Sequence, residues 1–345
     1  MENLVFLAVA AVIIVLLFAY TNGFHDAANI IATVIASRAM TPVQAVVLVG
    51  FFEFLGPMLA GTAVADTIGK FVTLGDLPAH SALTILLCGL IGAIAWNLLT
   101  WWKGIPSSSS HALVGGLAGV VVVAAGPGHV VWGFGELAHG HMTGVTKVLL
   151  ALVLSPIIGF WVGYLLHRTA LFFLRAARPA FNRYLRAGQY VTAAGLAFSH
   201  GANDAQKSMG MLTLVLLLGG FTDAFVVPFW VILACSCATT LGILSGGWRI
   251  VRTLGFAIYK VRPLHALDSQ LTSAGIILAA SFAGAPVSTT HVVASSIMGI
   301  GASERPKAVR WAKAREIVTT WVITIPGAAA ASIAAFFVAR LFLHV

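Results

Sequence analysis

Charge is what this sequence has least of. Lysine, arginine, aspartate and glutamate make up 9% of the 345 residues, and only 11 are acidic. A water-soluble domain carries about a quarter charged residues, so most of this surface does not face water. Cysteine is scarcer still. Cys88, Cys235 and Cys237 are the only three, each inside an apolar stretch. No disulfide or metal spacing is present, which excludes a disulfide scaffold or zinc module and leaves them as small core residues. No lysine or arginine precedes the first apolar stretch, and no small-residue cleavage pattern interrupts it. It reads as a membrane segment and not as a secretory signal.

Apolar residues are what the chain has in abundance, at 59% with a mean hydropathy of +0.96. A bilayer-spanning helix needs roughly 20 apolar residues. Stretches of that kind centre near 4–36, 42–65, 82–102, 107–126, 146–167, 190–218, 224–247, 270–285, 287–301 and 316–343. The pattern predicts an all-α polytopic membrane protein with about 10–12 membrane segments.

The net charge of +9 is not the footprint of a nucleic-acid binder, because it is sorted by connection. Arg168, Arg175, Arg178, Arg183 and Arg186 crowd one, and Arg249, Arg252, Lys260 and Arg262 a second. Arg305, Lys307, Arg310, Lys313 and Arg315 crowd a third. With ten segments these fall on one side together with Arg38 and Lys103, so that side holds 16 of the 20 basic residues. Basic loops stay cytoplasmic, which predicts a multi-pass protein of the inner (plasma) membrane, surrounded by lipid, with both termini outside.

The chain also repeats itself. Gly23–Ala27 reads GFHDA and Gly201–Ala205 reads GANDA, 178 positions later; Pro106–His111 reads PSSSSH and Pro286–His291 reads PVSTTH, 180 later. Leu55-Gly56 and Thr67-Ile68-Gly69 find counterparts in Leu241-Gly242 and Thr253-Leu254-Gly255, 186 positions on. Matches in one order at nearly one offset mark a duplication. Each half holds five segments, and an odd number makes the second half enter the membrane from the opposite side. The expected architecture is two inverted-topology repeats, 1–167 and 190–345, joined by a basic cytoplasmic linker at 168–189. Broken helices or re-entrant hairpins at the third and fourth segments would leave that parity unchanged.

Four charged groups lie inside apolar stretches: Asp26, Glu53, Asp204 and Lys207. Each would cost about 3 kcal/mol facing lipid, so a cavity, partner or ligand is expected for them. Asp26 and Asp204 recur at matching repeat positions; Glu53 aligns with Thr239 and has no acidic counterpart. The second constellation is the hydroxyl runs Ser107–Ser110 and Ser288–Thr290, each after a proline and before an apolar stretch. Hydroxyls and free backbone N–H groups at a helix start form an anion site, and a membrane tolerates such a break only where it lines a cavity. A single copy could be an ordinary helix cap. Two copies paired with two intramembrane aspartate motifs favour the anion site. His111 and His291, which end the runs, are expected to orient these loops. His129, Glu136, His139 and His141 lie in a Gly-rich loop and read as solvated, so no resident metal site is expected.

With GFHDAAN, GANDAQK, PSSSSH and PVSTTH on the page, the sequence resembles the inorganic phosphate transporter (PiT) family, in its bacterial low-affinity branch. The resemblance covers most of the chain. It implies a homodimer of inverted repeats that takes up phosphate with a coupling cation, without catalytic residues or a cofactor. It implies substrate ligands at Asp26, Asn29, Ser108, Ser109, Ser110, Asn203, Asp204, Ser288, Thr289 and Thr290. The family's usual first-motif Asn is His25 here, and the final Asn of the second motif is Lys207. An asparagine carbonyl can ligate sodium and an ammonium cannot. The expected coupling ion is therefore a proton, handled by His25, Lys207 and Glu53, with sodium as the alternative. Phosphate is favoured over sulfate because monobasic phosphate can donate a hydrogen bond to a carboxylate, whereas sulfate has no proton to give. An intramembrane serine hydrolase or a channel fits two differently spelled copies of one site less well than a carrier does.

Overall fold

The computed structural model describes residues 2–137 and 139–343. They form helices and their connections, with a single isolated strand-type bridge between Val72 and Val130. In chain order the helices are α1 (Glu2–Ala36), α2 (Pro42–Leu59), α3 (Ala63–Gly69), α4 (Ala79–Trp102), α5 (Ser109–Ala124), α6 (Phe134–Leu137) and α7 (Gly144–Phe173). The second half supplies α8 (Asn182–Leu218), α9 (Phe229–Ser245), α10 (Trp248–Arg252), α11 (Pro263–Phe282), α12 (Thr289–Glu304) and α13 (Trp311–Leu343). A π-helical turn, Thr253–Ala257, follows α10 directly. Among the described residues, α1, α2, α4, α7 and α13 are long and apolar enough to cross a membrane, and α9 with α10 adds a sixth span bent by 58°. The α8 helix is long enough but carries the polar motif residues. At 16 residues each, α5 and α12 rise only about 24 Å, short of a ~30 Å hydrocarbon core.

The breaks recur in both halves. The expected segment 42–65 is α2, then Gly61, then α3; the segment 224–247 ends at Gly246 before α10. Gly61 and Gly246 take φ of 79° and 69°, a left-handed conformation that glycine adopts without steric cost. The short α3 has no side-chain cap of its own at Thr62. Instead Gln206 Oε1, from α8, accepts the amides of Val64 at 2.8 Å and Ala65 at 3.3 Å. Connection 168–189 is shorter than its arginine run suggests, since α7 continues to Phe173 and α8 begins at Asn182.

Helix pairing follows the repeat. In each half the fourth element folds back on the third, α5 on α4 and α12 on α11. The last helix of each half packs on the hairpin of the other: α7 lies on α12 and α11, and α13 on α5 and α4. The first two helices also exchange, with α1 against α9 and α2 against α8. This reciprocity gives a twofold relation between halves.

The motif glycines let these crossings close. A Cβ on Gly23 would sit 2.1 Å from Thr239 O, and one on Gly201 would sit 2.2 Å from Glu53 O. Thr239 and Glu53 are the aligned pair from the two halves, so both glycines serve the same contact.

Two large apolar cores result, with a small third cluster of Val114, Val148 and Leu152. One gathers Val15, Phe18, Leu86, Leu113, Met209 and Leu212; the other gathers Ile30, Ile31, Leu196, Ile250, Val292 and Ile297. Between them lie the polar stretches of α1 and α8. Phe6, Val43, Leu59, Phe172 and Leu341 point outward, as lipid-facing helices require. Cys88 and Cys235 are buried as expected, but Cys237 is exposed on the outer face of α9.

Candidate substrate and cation site

Ten residues marked by sequence as substrate ligands converge on one buried region, where the two hairpin tips (residues 103–108 and 283–288) meet the middles of α1 and α8. The side chains divide the work by position. Ser108 and Ser288 cap their helices: Ser108 Oγ accepts from His111 N at 3.1 Å, and Ser288 Oγ from His291 N at 3.3 Å. The next residue in each run faces its own half's aspartate. Ser109 Oγ donates to Asp26 Oδ2 at 2.9 Å, and Thr289 Oγ1 donates to Asp204 Oδ2 at 3.5 Å. The third residue reaches into the opposite half in both runs, but to different acceptors: Thr290 Oγ1 donates to Asp26 Oδ1 at 3.2 Å, whereas Ser110 Oγ donates to the backbone carbonyl Val287 O at 3.1 Å.

The residue before each aspartate ties down its own hairpin. His25 Nε2 lies 3.3 Å from both Thr100 Oγ1 and Ser107 Oγ, while Nδ1 pairs with Asp26 Oδ1 at 2.9 Å. Asn203 occupies the equivalent place, donating from Nδ2 to Ser281 Oγ and Ala285 O, each at 3.1 Å. Its Oδ1 accepts from Val287 N at 3.3 Å. His25 and Asn203 therefore anchor the tips, and the His-for-Asn exchange preserves that task.

Asn29 and Lys207 are counterparts too. Asn29 Nδ2 donates to Thr290 Oγ1 at 2.9 Å and Thr289 Oγ1 at 3.3 Å, while its buried Oδ1 has no partner among the described residues. Lys207, fully buried, donates from Nζ to Asp204 Oδ1 and, at 3.2 Å, to Val287 O. Its ammonium thus fills a carbonyl- and carboxylate-lined position in the second half.

One residue of this centre was not singled out from the sequence. His200 is buried beside Asp204, with Nε2 3.4 Å from Asp204 Oδ2 and Nδ1 2.9 Å from Glu53 Oε1. It stands immediately before Gly201, where the first half has Asn22, so repeat matching could not pick it out. Glu53 completes the centre from α2. Ligand atoms of Asp26, His200 and Asp204 all lie within 4.8 Å of one another, a spacing a small cation could bridge. His111 and His291 do not reach the carboxylates. Their rings lie against each other, tilted by 33° with centroids 4.6 Å apart, and His291 stacks on Trp321 at 3.8 Å. In the loop after α5, His129 Nε2 meets Asp76 Oδ2 at 3.1 Å on the surface.

A model of the phosphate transporter family matches residues 22–182 and again residues 174–332, one match for each half. The chain belongs to this family. It is 42% identical over 340 residues to a "Probable low-affinity inorganic phosphate transporter" of Bacillus subtilis, covering 98% of both chains. A Rhizobium meliloti protein of the same description is 41% identical over 337 residues, covering 97% of each. Among solved structures, "The sodium-dependent phosphate transporter" superposes with a TM-score of 0.86 at 24% identity, covering 98% of this chain and 100% of that one. That likeness speaks for the fold. The chain is a membrane phosphate transporter of the PiT family, not an enzyme.

Proposed function

We propose that this chain imports inorganic phosphate by cation-coupled symport with alternating access, and that the coupling ion is a proton. One observation carries the reading: the hydroxyls that would bind phosphate are donated to the carboxylates that would bind the cation. Ser109, Thr289 and Thr290 spend their protons on Asp26 and Asp204. While both carboxylates are ionised they hold those donors. A proton on either aspartate turns that oxygen into a donor and releases a hydroxyl toward an incoming phosphate. The cation and the anion therefore favour each other's binding, which is what symport requires.

Proton over sodium rests on Lys207. Its ammonium occupies the place where Asn29 stands in the other half, so the second half carries a built-in positive charge. Buried beside it, the Glu53–His200–Asp204 row offers titratable groups in sequence. A cation bridging Asp26, His200 and Asp204 is the sodium alternative, and the name of the solved relative favours it. Monobasic phosphate suits the carboxylates through its own O–H groups; sulfate lacks them. The arginine-rich connections supply the orientation, with that face in the cytoplasm and both termini outside the inner membrane. The protein would work as a homodimer in lipid.

The test is phosphate uptake into proteoliposomes with an imposed pH gradient and no sodium. Uptake driven by the pH gradient is expected. Uptake that ignores it but rises steeply with external sodium overturns the proton assignment.

A further inference from the structure

A second polar cluster lies well away from the hairpin tips, at the face carrying the arginine-rich connection. It joins His167 near the end of α7, His265 in the first turn of α11 and Glu304 at the end of α12. The ligand atoms of these three all lie within 4.8 Å of one another. His167 is fully buried. Its Nδ1 pairs with Asp268 Oδ2 at 2.6 Å, and its Nε2 has no partner among the described residues. A histidine that gives one ring N–H to a carboxylate and presents the other nitrogen bare is the arrangement found in metal-ligating histidines. His265 and Glu304 are already in contact, Nε2 to Oε2 at 2.8 Å. A cavity of about 360 Å³ opens beside them, lined also by Arg178, Asn182 and Arg262, with room for water to complete a coordination shell.

We propose that His167, His265 and Glu304 form a binding site for a divalent transition ion of the zinc type, separate from the transport centre. Two imidazoles and one carboxylate with an open fourth position suit such an ion better than magnesium or calcium, which prefer oxygen ligands. The ion would tie α7 of the first half to the α11–α12 hairpin of the second. Those are the elements whose relative position must change if the hairpin moves, so an ion here restrains the hairpin.

Binding has a definite local consequence. His265 Nδ1 accepts the Arg262 amide at 3.1 Å, the bond that caps α11, so its proton sits on Nε2 and is shared with Glu304. An ion that takes Nε2 displaces this proton. The proton leaves to solvent through the cavity or shifts to Nδ1, and in the second case the cap bond breaks. Glu304 gives up the His265 contact and keeps Arg262 on its other oxygen at 2.7 Å. Asp268 stays behind His167 as a positioning residue.

The test uses the full chain, purified in detergent and stripped with chelator. Cobalt(II) is titrated by its visible d–d absorption, and zinc by calorimetry and by the shift in melting temperature. One equivalent of ion is expected, with a zinc-dependent rise in melting temperature. His167→Gln and His265→Gln should each weaken binding at least tenfold and abolish that rise. Asp268→Asn, which keeps all three ligands, should give an intermediate affinity; it remains informative if a ligand variant fails gel filtration. Asp204→Asn should leave the affinity unchanged. Absence of stoichiometric binding, binding indifferent to His167→Gln and Asp268→Asn, or binding lost in Asp204→Asn instead would overturn the proposal, the last by placing the ion at Asp26, His200 and Asp204.

Discussion

Glu53 on α2 holds His200 on α8 through a buried contact of 2.9 Å, and the far nitrogen of that ring faces Asp204. A carboxylate on Nδ1 fixes one proton there and leaves Nε2 as the nitrogen that can take up a second proton and donate it to the aspartate. Replacing Glu53 by Gln keeps the shape and removes the charge that sets this tautomer. Phosphate uptake by Glu53→Gln should fall roughly tenfold or more, equivalent to about 1.4 kcal/mol of lost stabilisation. Its elution on gel filtration should stay unchanged. Uptake at the wild-type rate would remove His200 and Glu53 from the coupling path.

The hydroxyl runs divide into helix caps and donors that face an aspartate, and substitution separates the two. Ser108→Ala and Ser288→Ala remove a helix cap, so they should lower thermal stability by about 1 kcal/mol. Ser109→Ala and Thr289→Ala remove donors that face the aspartates and should raise the half-saturation concentration for phosphate, by about 1–2 kcal/mol in binding. Melting curves and uptake kinetics on the four variants check this. An unchanged half-saturation concentration in the second pair would mean that the whole run serves only to cap the helix.

Lys207→Asn gives the second half the residue that Asn29 is in the first. Without the ammonium, Asp204 becomes an uncompensated buried carboxylate and demands a mobile cation. Uptake by this variant is expected to depend more steeply on external sodium than uptake by the wild type. Sodium titration of the initial uptake rate checks it; loss of all uptake in well-folded Lys207→Asn at every sodium concentration would contradict the assignment.

Gly23 and Gly195 make a paired test of the helix crossings. A methyl at Gly23 meets the Thr239 carbonyl at 2.1 Å, whereas one at Gly195 on α8 finds nothing within 4 Å. Gly23→Ala should destabilise the protein by about 1–3 kcal/mol through overpacking. Gly195→Ala should be neutral or stabilising by up to about 1 kcal/mol, since alanine favours a helix. Equal melting temperatures for the two variants would contradict the close approach of α1 and α9.

Much of this was legible in the sequence. The two motif pairs located the repeat, and the cost of a charge inside an apolar stretch marked Asp26 and Asp204, while the full set of ten ligand candidates came from the family those motifs resemble. Residues with a repeat counterpart, such as Asp26 with Asp204 and Ser109 with Thr289, stand out by matching. His200 faces Asn22 across the repeats, and so no match marks it, although it touches Asp204 as closely as Thr289 does. The division of each hydroxyl run into cap and donor depends on helix phase at the hairpin tip, which no residue name encodes. Cys237 is expected in the core from its apolar neighbours, but an apolar helix packed on one side only turns some residues outward, and Cys237 is exposed. His167, His265 and Glu304 are too far apart in the chain for spacing to join them.

The central claim is that Asp26 and Asp204, with the hydroxyls they hold, bind the transported phosphate. Radiolabelled phosphate counterflow in proteoliposomes, measured for the wild type and for Asp26→Asn with unlabelled sulfate as competitor, tests it most directly, because counterflow needs no driving ion gradient. The wild type should show saturable counterflow that excess sulfate barely reduces, and Asp26→Asn, eluting normally on gel filtration, should lose it by about a hundredfold. Near-normal counterflow through Asp26→Asn, or equal competition by sulfate and phosphate in the wild type, would contradict the account.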